Sequence, residues 1–364
     1  MLTEFIPIIW RLFLNKKPTI TDIAQAAGVS LATVSRILNN KPDVSEKTRK
    51  HVLKIIEEQG YTPQTQWQQI ASGKSRTISM LYPRDYAAFN PLALQFIVGA
   101  TEACEERNYF LNLITKSLTE TSLLGMYRSG QTDGMILMEL RVVDWRVELL
   151  RNHQLPFVAI GHCEDNTHVS YVDLDFETLV MNAVKHLFNL GHRNIGFISI
   201  VPDPKRKRYG PTVRAAEGYR QASLKYELPR LFRETYMDTE DVKLATLSLL
   251  DEQPQITAIV TANDAAIAGV LNAIQTLELR IPEDISVVGL TTDQVAEIIT
   301  PPLTAFRFPS RSMGYQAGQI LVDRLEGVND EIKQILIQPE LVTRGSTGPV
   351  RSTPKEVQIV SGHN

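Results

Sequence analysis

The sequence predicts an α/β protein in two parts: a three-helix, helix-turn-helix headpiece over residues 18–63 and a two-lobed core of parallel sheets over residues 77–345. Between Thr19 and Gly60, three short amphipathic stretches are each bounded by capping and breaking residues. After Arg76, continuous apolar runs alternate with amphipathic helical stretches. The charge divides at the same place: residues 16–76 hold ten bases against five acids, so a chain with net charge −3 carries +5 there and −8 elsewhere.

In the headpiece, Thr19 or Thr21 can cap a first helix, ITDIAQAA, with Ile23, Ala26 and Ala27 at helical spacing and Gly28 as its left-handed stop. Ser30 caps a second, LATVSRILNN, with Val34, Ile37 and Leu38 apolar, ended by Asn39, Asn40 and Pro42. Ser45 opens a third through Glu58, with Val52, Leu53, Ile55 and Ile56 apolar; Gly60 closes it and Pro63 blocks continuation. Three short helices around one small core, with a tight turn between the first two, make a helix-turn-helix unit.

The core reads as strands TISMLYP, FLNLIT, GMILMEL, LPFVAIG, NIGFISI, ITAIVTAN and ISVVGLT, separated by helical segments such as LVMNAVKHLFNLG. Uninterrupted apolar strands alternating with helices imply parallel sheets covered on both faces. The span exceeds one doubly wound unit, so two lobes are expected: lobe 1 at about 77–173 and 306–336, lobe 2 at about 174–305 and 337–345. Residues 1–17 read as a flexible extension and 346–364 as a disordered tail; no leucine heptad there suggests a tetramerising coil.

Composition narrows the function. Two cysteines, Cys104 and Cys163, are too few for a disulfide framework and suit a reducing compartment. No apolar run reaches the roughly 18–20 residues that cross a bilayer, so no membrane partner is expected. FIPIIWRLFL (5–14) lacks the basic start and small-residue cleavage site of a signal peptide. A cytoplasmic, nucleoid-associated protein is the expectation. A basic head on an acidic body is the asymmetry of a chain whose head alone meets phosphates. There is no GxSxG elbow, P-loop, HExxH or complete nucleotide fingerprint, so neither catalysis nor a cofactor is expected. His162, Cys163, Asp165 and His168 cluster in sequence, but their spacing fits no zinc pattern and no metal is assigned.

The segment TITDIAQAAGVSLATVSRILNNKPDVSEKTRKHVLKIIEEQGYTP, Thr19 to Pro63, resembles the LacI/GalR family almost element for element. LGHRNIGFI (Leu190–Ile198), ITAIVTANDAAIAG (Ile256–Gly269), IPEDISVVGL (Ile281–Leu290) and PPLTAFRFP (Pro301–Pro309) extend the resemblance over nearly the whole chain after residue 18. It implies a core with the fold of periplasmic sugar-binding proteins, a homodimer, and a regulator that binds double-stranded operator DNA under a small-molecule effector. A repressor of carbohydrate-utilisation genes is the expected role, with a sugar or sugar phosphate releasing or recruiting it.

The resemblance places the second helix in the major groove. Leu31 and Ala32 offer apolar contact, Thr33, Ser35 and Asn39 follow, and Arg36 reaches guanine or phosphate unless it is a merely solvated residue. Thr21, Ser45 and Thr48 match phosphate-anchoring positions, and Ile20, Tyr61 and Gln64 complete the headpiece candidates. The family's hinge helix corresponds to residues 64–76, where Ile70 stands at the apolar wedge position with Ala71 behind it. Trp67 departs from the small residue expected there, and is either a second wedge or a packing residue.

Strand ends facing a crevice are the expected ligand positions of α/β sheets. Asn263 and Asp264 follow ITAIVTA and Arg214 opens the helix after KRKRYGPT; they match effector-binding positions, although Arg214 also suits an inter-lobe ion pair. Asn90, His162 and Thr291 are further effector candidates, Thr291 standing where many relatives carry an aspartate. The basic run Lys205–Arg208 is either solvated or a holder of an anionic effector. Two rival classes remain open: a periplasmic-type sugar-binding protein with no regulatory role, which would have no use for the headpiece, and an enzyme, which would need a phosphate loop.

Overall fold

The computed structural model describes residues 18–38, 41–61, 74–82, 91–201, 208–236 and 238–350. The expectations for residues 1–17, Asn39, Gln64, Trp67, Ile70, Ala71, Asn90 and Lys205–Lys207 lie outside the described residues. The chain divides into two compact units between Ser75 and Arg76.

The first unit holds α1 (Ile20–Ala27), α2 (Leu31–Leu38) and α3 (Glu46–Glu58). Thr19, not Thr21, caps α1: its hydroxyl accepts from the Asp22 N–H at 3.3 Å while the Asp22 carboxylate accepts from the Thr19 N–H at 2.7 Å. This reciprocal box satisfies two donors that the first turn leaves without helical partners. Gly28 takes the left-handed conformation, φ 63°, that ends α1. Ser30 and Ser45 accept from the Thr33 and Thr48 N–H groups, each at 3.2 Å, and start α2 and α3. The core is Ile20, Ile23, Ala24, Ala27, Val34, Ile37, Val52 and Tyr61. Leu53, expected on the apolar face of α3, is instead 45% exposed. The core-facing position here is Val52, which is fully buried, and Leu53, about 100° further round the helix, points away from it.

The second unit is built on two six-stranded sheets. In lobe 1 the strands are β1 (Thr77–Leu81), β2 (Phe110–Ile114), β3 (Gly134–Leu137), β4 (Phe157–Ile160), β5 (Tyr171–Leu174) and β11 (Gln334–Ile337), in spatial order β11-β5-β4-β3-β1-β2, all parallel. Helix α4 (Pro91–Glu105) and α12 (Ser310–Glu326) cover one face; α5 (Glu120–Arg128) and α6 (Trp145–Asn152) cover the other. Lobe 2 has β6 (Ile195–Val201), β7 (Leu231–Tyr236), β8 (Ala258–Thr261), β9 (Ser286–Thr291), β10 (Thr304–Arg307) and β12 (Leu341–Val342), ordered β12-β10-β9-β8-β6-β7 with only β12 antiparallel. Its flanks are α7 (Phe176–Asn189) and α8 (Gly210–Lys225) on one face, and α9 (Thr239–Glu252), α10 (Asp264–Thr276) and α11 (Asp293–Ile298) on the other. The chain passes between lobes three times: from β5 to α7, from β10 to α12, and from β11 to β12.

Helices α4 and α12 pack backbone to backbone. A Cβ on Gly99 would lie 1.9 Å from the Arg311 carbonyl oxygen, and one on Gly314 would lie 2.1 Å from that of Phe96. No side chain fits at either crossing without separating the helices.

Residues 346–350, expected to open a disordered tail, are packed, and residues 351–364 lie outside the described residues. Ser346 is buried and its hydroxyl donates to the Val287 carbonyl at 2.6 Å; the Val350 N–H donates to the Leu190 carbonyl at 3.0 Å. The polar composition of this stretch hides that its hydroxyls and amides bond to lobe 2, at Ser286, Val287 and Leu190. Two histidines hold the same strap: His192 lies between the Thr257 hydroxyl (2.8 Å) and the Gly348 carbonyl (3.0 Å), and His186 meets the Thr347 hydroxyl at 3.1 Å. Burial lowers the pKa of both imidazoles.

A folded-state pKa below the unfolded one means the unfolded chain binds more protons as pH falls through about 6.5. Stability is therefore expected to fall from pH 7 to pH 5, and His192→Gln is expected to flatten that slope in denaturant titrations at the two pH values. Gly314→Ala is expected to cost about 1–3 kcal/mol, as overpacking does, read as a lowered calorimetric midpoint.

Candidate DNA-binding face and ligand cleft

In the headpiece, Leu31 and Ala32 lead α2 and are exposed, Thr33 and Ser35 are half-buried, and Arg36 is exposed. Arg36 pairs with Asp43 at 3.4 Å, both side chains more than half exposed. Such a pair is weak and yields readily to a better partner. Arg49 donates from α3 to the carbonyls of Ile37 (3.4 Å) and Lys41 (2.5 Å), which fixes the end of α2 and the loop that carries Asp43. Thr21 is exposed in the first turn of α1, and the Ser45 and Thr48 hydroxyls lie 2.8 Å apart at the start of α3. First-turn N–H groups and hydroxyls of this kind suit phosphate oxygens.

Two further headpiece candidates, Ile20 and Tyr61, are 6% and 5% exposed and pack in the headpiece core rather than on its open surface.

In the second unit, a cleft open to solvent lies between the lobes. Its walls are the carboxyl ends of strands from both sheets, where α/β proteins bind ligands. Lobe 1 contributes Tyr82 after β1, Glu139 and Leu140 after β3, His162 after β4 and Asp173 on β5; lobe 2 contributes Tyr209, Asn263, Asp264 and Leu290. Phe96 of α4, Phe176 of α7 and Phe308 of the second crossing add apolar surface. Phe96 and Phe308 meet edge to face at 5.6 Å between centroids.

The expected residues divide. His162, Asn263 and Asp264 line the cleft. His162 Nδ1 lies 2.8 Å from an Asp173 carboxylate oxygen, and its ring stacks on Tyr171 at 5.0 Å. The Asn263 side-chain oxygen accepts from the Ala265 N–H at 2.9 Å, so it caps α10 as well as facing the cleft. Arg214 does not line the cleft wall: it donates to the His162 carbonyl at 2.5 Å and lies 4.0 Å from Asp173, tying lobe 2 to lobe 1. Its Nη1 is buried with no hydrogen-bond partner among the described residues. Of its two readings, the inter-lobe pair is the arrangement found.

Thr291 needs correction. It is 2% exposed and absent from the cleft wall, which Leu290 supplies from the same strand, because successive strand side chains point to opposite faces. Asp293 is taken by Arg307, at 2.7 Å, and by Arg344. Burial opposes its ionisation, but the two guanidiniums outweigh it and hold the carboxyl below its ordinary range. Of the basic run, Arg208 is described and pairs with Glu164 at 3.6 Å. The His162–His168 cluster is split: Cys163 is buried, its thiol pushed up to about 11 mainly by burial, whereas His168 is exposed.

Sequence reading missed Tyr82, Glu139, Asp173, Phe176, Tyr209 and Phe308. The available signal was positional, since several of them end or follow an apolar strand; Asp173 does so in YVDL, too short to stand out as a strand.

Residues 19–64 match the family described as bacterial regulatory proteins, lacI family, and residues 184–347 match a periplasmic binding protein-like domain. The HTH-type transcriptional regulator CelR of Thermobifida fusca is 30% identical over 345 residues, covering 91% of this chain and 99% of its own. Catabolite control protein A of Priestia megaterium is 29% identical over 325 residues, covering 87% and 96%. Among solved structures, a CelR–cellobiose complex has a TM-score of 0.68 at 28% identity, covering 90% of this chain and 99% of that one. The lac repressor dimer bound to operator and the anti-inducer ONPF, at 23% identity, shares the fold with a TM-score of 0.80, covering 92% and 100%. A headpiece with an exposed α2 face, a two-lobed core with a cleft at its strand ends, and relatives spanning the whole of that arrangement lead to one assignment: the chain belongs to the lacI family of bacterial regulatory proteins and is a DNA-binding transcriptional regulator.

Proposed function

We propose that the chain is a cytoplasmic, homodimeric repressor of carbohydrate-utilisation genes that reads a near-palindromic operator through two headpieces. A sugar or sugar derivative in the cleft releases it from, or recruits it to, that operator. The observation that carries this reading is the make-up of the cleft: aromatic rings of Phe96, Phe176, Tyr82 and Tyr209 beside the polar groups of His162, Asp173, Asn263 and Asp264. Rings pack against the C–H face of a pyranose, and carboxylate and amide groups take its hydroxyls. Asp173 fixes His162 through Nδ1, so a ligand hydroxyl meets the ring at Nε2. The CelR relative, whose structure is solved with cellobiose, makes a β-linked disaccharide the first compound to test.

On DNA, Arg36 leaves Asp43 for a base edge, and Leu31 and Ala32 meet thymine methyl groups. Thr21, Ser45 and Thr48 hold the backbone and set register without reading sequence. Ligand that binds one lobe arrangement better than the other shifts the population between operator-binding and released forms. No residue set for bond-breaking chemistry is invoked.

Arg36→Ala is expected to cost about 1–3 kcal/mol on a duplex selected from a random library by the wild-type chain. Binding to non-selected duplex is expected to change little, as measured by fluorescence anisotropy at fixed salt. Equal losses on both duplexes would assign Arg36 to the backbone. In a thermal-shift screen of sugars and sugar phosphates, a true effector at 100 times its Kd adds about 2.7 kcal/mol of stability. Asp173→Asn is expected to weaken that effector at least tenfold, since hydrogen bonds to a charged group contribute about 1.5–3 kcal/mol. A screen with no stabilising sugar would sink the carbohydrate reading.

A further inference from the structure

The two lobes are joined beside the cleft by a pairing of main chains that belongs to neither sheet. Residues 139–142, which follow β3 in lobe 1, run antiparallel to residues 208–210, which precede α8 in lobe 2, with Arg141 opposite Tyr209. The Val142 N–H donates to the Arg208 carbonyl at 2.9 Å, and the Gly210 N–H donates to the Leu140 carbonyl at 3.0 Å. The Tyr209 hydroxyl adds a 3.4 Å contact to the Glu139 carboxylate. Glu139, Leu140 and Tyr209 also line the cleft, so the pairing borders it.

The lobe 1 arm is shaped in advance. Arg146 is 7% exposed; its Nη2 donates to the carbonyls of Met138 and Glu139, both at 3.1 Å, and to Asp144 at 2.7 Å. Asp144 in turn accepts from the Arg141 N–H at 3.2 Å. Burial resists the charge on Asp144, but Arg146 outweighs it and holds the carboxyl below its ordinary range. The arm leaves β3 through Glu139 at φ 56°, and the lobe 2 segment begins at Arg208 with φ 67°. Left-handed backbone at two non-glycine residues persists only where surroundings over-determine it, and here the Arg146 bonds and the pairing itself do so.

We propose that residues 138–144 form a latch arm, positioned by Arg146 and Asp144 and docked on residues 208–210, and that this latch holds the lobes together and gates access to the cleft. No ligand's identity enters, so the latch stands or falls separately from the carbohydrate reading. Opening the cleft requires both main-chain bonds to break together, which makes amides in opposite lobes exchange as one unit.

The test is hydrogen exchange of the full chain, free of ligand and DNA, followed at Val142 and Gly210. Val142→Pro removes one donor of the pair, and Arg141 ahead of it is already in the extended pairing that proline favours. The expected result is at least tenfold faster exchange at Gly210, in the other lobe, with β-sheet amides unchanged. Unchanged exchange at Gly210 would overturn the latch. If Val142→Pro does not fold, the Arg141→Cys, Tyr209→Cys double variant decides. These two face each other as a non-hydrogen-bonded pair, with Cα atoms about 4.5 Å apart in such pairs, within disulfide reach. The disulfide is expected to form under mild oxidation and to slow Gly210 exchange at least tenfold, reversibly on reduction. Failure to form it, or formation without slowing, would overturn the proposal.

Discussion

Two sheets can share one ligand only if their carboxyl strand ends face each other, and the chain secures this by crossing three times between β5 and α7, β10 and α12, and β11 and β12. Each lobe has apolar clusters on both faces of its own sheet, so each is a packed unit. What remains adjustable is the space between them. Short crossings restrict the lobes to a hinge-like motion, and the cleft is where that motion is felt. Phe308 sits on the second crossing and in the cleft wall, touching Phe96 of α4 and Phe176 of α7, so ligand and crossing share a residue.

Among the described residues, that arrangement places specific polar contacts between the lobes. Arg214 reaches a main-chain carbonyl and a carboxylate of the other lobe, and the pairing of 139–142 with 208–210 does the same with backbone groups. Buried polar groups that lose a partner cost about 1–3 kcal/mol each. A lobe movement that strands Arg214 is therefore expensive unless a ligand replaces its partners, which is a physical basis for two discrete states. The glycine-sealed α4–α12 contact has the opposite property: with Gly99 and Gly314 against facing carbonyls, these helices move together or not at all.

Much of this was legible in the sequence because caps and periodicity act locally. Ser30, Ser45 and Gly28 occupy the positions their chemistry predicts, and the continuous apolar runs became parallel strands. What was not legible depended on distant partners. Thr19 rather than Thr21 caps α1 because Asp22 returns the hydrogen bond. The polar stretch at 346–350 packs because His186, His192 and Ser286 meet it from elsewhere in the chain. The edge strands β7 and β11 are only partly buried and lack the apolar continuity that marks interior strands. In the cleft, strand ends pointed to His162, Asn263 and Asp264, but the face Thr291 takes depends on strand register, and the hold on Asp293 depends on two arginines distant in sequence.

Coupling between cleft and operator is the central claim, and linkage makes it reciprocal: a ligand that changes operator affinity by some factor has its own affinity changed by the same factor. The decisive measurement is a pair of titrations on the full chain, selected duplex with and without saturating sugar by anisotropy, and sugar with and without duplex by calorimetry. Equal shifts of about 5- to 150-fold in the two titrations, the range of typical allosteric coupling, are the predicted result. A sugar that occupies the cleft while leaving the duplex affinity unchanged would contradict it.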